Sequence, residues 1–148
     1  MGTKKYRLTG NHINIGNRIL YQIEALKDFG DVKAGDLGGY IESEENLSQY
    51  DNAWVFDNAR VYGNACVFGD AQIKSARDYI VFKNWWSSGR YFTWTRSNNM
   101  WKVGCFYGTG EELIKKAYND SKESGREYER VVRYVEEILE ENYGNKED

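Results

Sequence analysis

The feature that most narrows the fold of this chain is a six-residue period between Gln49 and Asp78, which divides as QYDNAW, VFDNAR, VYGNAC, VFGDAQ and IKSARD. First positions read Gln49, Val55, Val61, Val67 and Ile73; fifth positions read Ala53, Ala59, Ala65 and Ala71 before Arg77 breaks the series. Asn52, Asn58, Asn64 and Asp70 hold the fourth. An apolar residue every sixth position cannot line an α-helix, whose period is 3.6. It fits very short strands joined by tight corners, with the aliphatic and small residues turned inward. Gly63 and Gly69 relieve crowding at the bends, while Asn and Asp tolerate left-handed backbone and bond to their own main chain. Internal repetition of this kind outranks ordinary strand or helix assignments.

Three hexads would make one triangular coil of a parallel β-helix, with valine at the inward corner and alanine in the tapered interior. Leu37, Ile41 and Leu47 look like a less regular preceding coil, introduced by Gly30, Gly35, Gly38 and Gly39. The competing reading is a set of irregular antiparallel strands with Asn- and Gly-rich turns. The pattern resembles the hexapeptide-repeat, left-handed parallel β-helix proteins, whose motif is an aliphatic residue followed four places later by a small one. The match covers residues 49–78 well and 30–48 loosely, and the left hand comes from the resemblance alone. Many enzymes of that family are acyltransferases that rely on a catalytic histidine, or zinc hydratases that need three histidine ligands. The sole histidine here, His12, lies outside the repeats. The resemblance therefore implies a scaffold without the inherited chemistry.

The ends differ from the middle. In residues 5–29, Tyr6 and Leu8 predict a short strand, GNHINIGN turns, and Ile19–Glu24 a second strand with one face buried. This would be a β cap on the first coil. Residues 79–107 hold ten aromatics, and 79–110 hold four bases (Lys83, Arg90, Arg96, Lys102) and no acid. The run YFTWTRSNNMWKVGCFYG predicts a hairpin, with Tyr91, Thr93 and Thr95 on one face and Phe92, Trp94 and Arg96 on the other. Capping boxes at Thr109/Glu112 and Ser124/Glu127 predict helices over 111–119 and 124–141. The second carries an apolar stripe of Tyr128, Val131, Val135 and Ile138, and the tail Asn142–Asp148 is expected to fray. The expected fold class is mixed α/β: a left-handed parallel β-helix of two to three coils, an N-terminal β cap and a C-terminal α+β module. The boundaries fall at 1–29, 30–78 and 79–148.

Composition excludes more than it assigns. With 23 acids against 20 bases and a net charge of −3, a whole-surface grip on nucleic acid is not expected. No apolar run reaches the roughly 18 residues that span a bilayer, and neither a membrane span nor a signal peptide is expected. A cytoplasmic location is expected, the host cytoplasm if a virus encodes the protein. Cys66 and Cys105 make neither a disulfide framework nor a metal cluster. No proline occurs, which suits a fold in which most backbone N–H groups are paired. No metal, cofactor or catalytic constellation is expected, and the protein is read as non-enzymatic. Acetyl-CoA binding would revive the acyltransferase reading.

Function is expected in the basic-aromatic block, at Trp85, Trp86, Arg90, Trp94, Arg96, Trp101 and Lys102. Outward aromatics and arginines are enriched in protein-binding hot spots, so a protein partner is the leading expectation. The overall plan also looks like small accessory proteins carried by phages and prophages, which would make the partner a host defence nuclease complex of the CRISPR type. The alternative is a nucleotide or single-stranded nucleic acid bound by segment 85–110, with aromatics stacking on bases, Arg90 and Arg96 on phosphates, and the Gly108–Gly110 turn as an anion cradle. A homodimer through the solenoid or the terminal helix is expected.

Overall fold

Apolar and polar residues alternate on both sides of Gly16-Asn17, and this segment folds as a long antiparallel hairpin of β1 (Tyr6–Ile15) and β2 (Arg18–Ala25). Gly16 sits at φ +58°, as a tight hairpin turn requires. GNHINI is therefore strand rather than turn, with the pairing register shifted between Leu8 and His12. A second register shift in β2 replaces the expected alternation: Leu20, Ile23 and Ala25 are buried while Ile19 is exposed. The computed structural model describes residues 4–143 and the side chains of 4–141. The tail expected to fray lies outside them, apart from the helical backbone of residues 142 and 143.

Strand β3 (Leu37–Ile41) runs antiparallel to β2. The hexads supply β4 (Trp54–Val55), β5 (Arg60–Val61) and β6 (Gln72–Ile73), each two residues long. Here the structure corrects the expected fold. β5 joins β1, β2 and β3 in an open mixed sheet of order β1-β2-β3-β5, while β4 and β6 form a separate two-stranded parallel ladder. Neither sheet curls or closes into a coil, so the left-handed hexapeptide-repeat β-helix and the resemblance that implied it do not hold. The physical reason lies in the corners. Asp57, Gly63 and Gly69 take positive φ and turn the backbone at the third position of the three central hexads, so the strands stay very short. The parallel partners also fail to keep one step: Ile41 faces Val61, Leu47 faces Val67, but Val55 faces Ile73 two residues sooner.

The inward positions of the repeat are nevertheless buried. Val55, Val61, Val67 and Ile73 have no exposed surface, and Ala53, Ala59, Ala65 and Ala71 pack beside them with Ile23, Ile41 and Trp54. Gly38 and Gly39 explain the GDLGGYIE segment. A methyl on Gly38 would stand 2.6 Å from the Val55 carbonyl oxygen, and one on Gly39 would stand 2.7 Å from Val55 Cγ1. Only glycine lets β3 approach the hexad backbone this closely.

The aromatic segment builds a second, antiparallel sheet from β7 (Tyr79–Lys83), β8 (Tyr91–Thr95), β9 (Met100–Val103) and β10 (Phe106–Gly108), in order β10-β9-β8-β7. One face meets the hexads. Thr93 Oγ1 accepts the Cys66 N–H at 2.9 Å, and the Tyr79 hydroxyl donates to the Arg60 carbonyl at 2.9 Å. The other face sets Phe92, Trp94 and Trp101 under two helices, α1 (Gly110–Asp120) and α2 (Lys122–Tyr143). The Thr109/Glu112 box caps α1 as predicted. The Ser124/Glu127 box does not cap α2, which starts two residues earlier; Ser121 Oγ accepts the Ser124 N–H instead. Only Ser121 separates the helices, and Gly125 lets them meet because any side chain there would strike the Tyr118 ring. No described helix is long and apolar enough to cross a membrane.

Candidate functional site

The loop joining β7 to β8 is tied around one buried side chain. Asn84, 4% exposed, accepts through Oδ1 from the Trp86 N–H (3.1 Å), the Ser87 N–H (2.9 Å) and the Ser87 hydroxyl (3.2 Å). Its backbone pairs with Arg90 and Gly89 across the loop. An asparagine that bonds the chain two and three residues on is a local turn-former, and here it fixes where the next two tryptophans point. Trp86 turns in: its indole N–H donates to Ser124 Oγ at 3.1 Å and its ring meets Tyr128 edge-on at 4.9 Å. Trp85 turns out and is 69% exposed.

Beside this loop lies a cavity of about 250 Å³ between the second sheet and the helix pair. Val103, Phe106, Leu113 and Ala117 form its apolar wall. Its polar side carries Arg90 from the loop, Ser124 and Tyr128 from α2, and Lys116 and Asp120 from α1. Lys116 and Asp120 pair at 3.4 Å one helical turn apart. Arg90 lies against Gly104, and its guanidinium has no hydrogen bond or ion pair to another described residue. Burial pushes the Tyr128 phenol above its ordinary pKa, while the Asn84 hydrogen bond and the Arg90 charge work the other way.

The residues singled out in the sequence do not form one site. Trp94 and Trp101, each 1% exposed, belong to the core between sheet and helices. Arg96 lies 3.9 Å from the Asp78 carboxylate. Lys102 sits over the Phe68 ring at 4.5 Å, on the sheet face that meets the hexads. Trp85, Trp86 and Arg90 remain together on the loop, and Arg90 alone of the seven lines the cavity. The Gly108–Gly110 turn is already occupied: the Glu112 carboxylate accepts the Thr109 N–H at 2.8 Å, so an arriving phosphate would meet an acid.

Sequence reasoning missed Asn84, Ser88, Lys116, Ser124 and Tyr128. A signal existed for the six helical lining positions. Leu113, Lys116, Ala117 and Asp120 repeat at helical spacing, as do Ser124 and Tyr128, so each set shares a face. Nothing in the spacing brings those faces against residue 90. A second, open cleft runs past Tyr50 (96% exposed), Asp70, Asn98 and Tyr107. Its polar groups serve one another, with Asn98 bonding to Asp70, Tyr107 and Thr95. Among the described residues, no group of three or more His, Cys, Asp or Glu is placed to hold a metal. Comparison of the chain with protein-family models and with curated proteins finds no match.

Proposed function

We propose that this protein is a non-enzymatic binding module that engages a protein partner through the 84–90 loop. The observation that carries this reading is Trp85. Of five tryptophans it alone is exposed, and it is presented by a loop whose backbone is pinned through Asn84. A large ring held out on a rigid loop loses little conformational freedom on binding, and tryptophan beside arginine is the usual make-up of an interface hot spot. The nucleic-acid alternative has less behind it, since Trp94 and Trp101 are buried and Arg96 faces Asp78. The more specific partner, a host defence nuclease, gains no support from the geometry. A cytoplasmic location fits the two unpaired thiols, Cys66 and the exposed Cys105.

The test is capture of partners by the wild-type protein and by Trp85→Ala, followed by reconstitution of any captured complex from purified components. The expected result is a defined protein complex whose affinity falls at least tenfold with Trp85→Ala. A complex indifferent to that substitution, or salt-sensitive oligonucleotide binding with no protein complex, overturns the reading.

A further inference from the structure

The cavity beside the loop is not neutral in its hydrogen-bonding demand. Four hydroxyl-bearing residues line it: Ser87 Oγ donates to Asn84 Oδ1 at 3.2 Å, and the other three each already accept a hydrogen bond from the protein. Ser88 Oγ accepts the Arg90 N–H at 3.1 Å, Ser124 Oγ accepts the Trp86 indole N–H at 3.1 Å, and the Tyr128 hydroxyl accepts from Asn84 Nδ2 at 3.4 Å. None of the three O–H groups donates to another described residue. Tyr128 is 8% exposed, so its spare donor is held inside the fold. Beside these donors stands Arg90, with five N–H groups in a rigid fork and no acid facing it within bonding distance. The lining therefore offers donors and asks for an acceptor.

Charge selects the acceptor. Arg90 and Lys116 are positive and Asp120 is negative, which leaves one positive charge on the lining. A carboxylate carries one negative charge and matches it. A phosphate monoester carries about 1.5 to 2 and would bring its excess toward Asp120. The volume, about 250 Å³, is below the roughly 300–1,000 Å³ of sites for drug-sized molecules, which leaves room for one short group. The one- or two-methylene stem of an Asp or Glu side chain would leave the wall of Val103, Phe106, Leu113 and Ala117 largely uncovered. A terminal residue with an apolar side chain offers both parts, a carboxylate for the donors and a body for the wall.

We propose that this pocket captures the free C-terminal carboxylate of a partner polypeptide that ends in an apolar residue. The proposal rests on the reading of the protein as a binder of protein partners, and it assigns Arg90, Ser88, Ser124 and Tyr128 as the carboxylate's donors. The loop that displays Trp85 also supplies Ser88 and Arg90 to the cavity lining. Backbone and side-chain donors that trap a chain terminus are a recurring recognition mode.

The test uses fluorescein-labelled pentapeptides ending in leucine, as free acid and as C-terminal amide, read by anisotropy against the whole protein. The free acid is expected to bind, the amide at least tenfold more weakly. Arg90→Gln should cost at least tenfold at an unchanged melting temperature, and Tyr128→Phe several-fold, with the ring packing kept. Competition with 4-methylpentanoate separates the two sources of a carboxylate. Binding of the peptide more than tenfold tighter than the small acid supports a polypeptide ligand, and equal binding overturns it. Equal affinity of acid and amide, indifference to Arg90→Gln, or binding of adenosine monophosphate without the peptide also overturns the proposal. A protein complex lost with Trp85→Ala but kept with Arg90→Gln would remove the pocket's role and leave the interaction surface. Arg90-dependent peptide binding with no Trp85-dependent complex would do the reverse.

Discussion

In the hexad core, four β-branched residues and four alanines are packed against backbone, and Gly38 and Gly39 are present because a single methyl would not fit. In the core under the helices, Phe92, Trp94, Trp101 and Tyr128 fill most of the space with four rings, and a cavity remains beside them. The contrast is one of packing units. Small side chains on closely spaced strands fill their space in small increments and reach dense packing. Large planar rings take space in big pieces and prefer edge and offset contacts, which leave irregular gaps at their margins. The half of the molecule built from small pieces is filled at its centre, and its clefts, past Tyr50 and Asp70 and past Asp57 and Lys74, are open grooves on its surface. The half built from rings holds a more enclosed cavity, and its candidate site is where the ring packing runs out.

Four measurements would break or sharpen that contrast. The largest effect is expected from Trp101→Ala, which empties the centre of the ring core and should cost about 3–5 kcal/mol in urea unfolding. A loss near 1 kcal/mol would mean that the ring core is loose throughout rather than only at its edge. Next is Gly39→Ala, where one added methyl in the hexad half should cost about 1–3 kcal/mol through overpacking. Gly10→Ala is the control, since nothing stands within 4 Å of the added carbon. Equal behaviour of the two would show that the hexad half is not tightly packed.

The third concerns Lys5, a fully buried cation of the hexad half. Its ammonium donates to the Asp51 and Ala53 carbonyls at 2.9 and 2.6 Å, and burial lowers its pKa to about 8. Between that value and the ordinary 10.5 the unfolded chain binds the extra proton, so stability rises with pH through this window. Relative to Lys5→Met, the wild type should gain about 2 kcal/mol between pH 8 and pH 10. Above pH 10 the trend should reverse in the wild type. Burial raises the Tyr6 phenol and pushes Tyr79 up to about 12, so their ionisation favours the unfolded chain. A flat difference between the two proteins from pH 8 to 10 would show that the two carbonyls hold the ammonium charged. The smallest effect is expected from Thr109→Ala, about 1 kcal/mol, through the lost α1 cap. Its loss should appear in the helical signal before any change in the hexads.

Local rules were legible wherever one residue decides its own neighbourhood. The Thr109/Glu112 cap, the Asn- and Gly-rich corners, the inward valines and alanines, and the two faces of β8 were all readable without a partner in view. The architecture was not. A period of six describes where side chains point, and both an open pair of parallel ladders and a closed coil satisfy it. Ser124 shows the same limit on a smaller scale. Its spacing from Glu127 is that of a capping box, but Ser121 takes the cap and Ser124 receives the Trp86 indole instead. In the aromatic block, composition located the region of interest but could not say which rings face inward. That choice depends on which side of the second sheet the helices cover.

By itself, then, the sequence determined the short strands, their corners, the helix start at Thr109 and the residues too small to be anything but buried, because each follows from backbone sterics or local hydrogen bonds. The tertiary structure alone decided that the hexads pair without closing, that Trp94 and Trp101 are core while Trp85 is surface, and that Arg90 lines one cavity with Ser124 and Tyr128. Those outcomes depend on contacts between separate segments, 18 to 20 residues apart for the paired short strands and more than 30 for Arg90 with Ser124 and Tyr128, and no spacing within a segment encodes them.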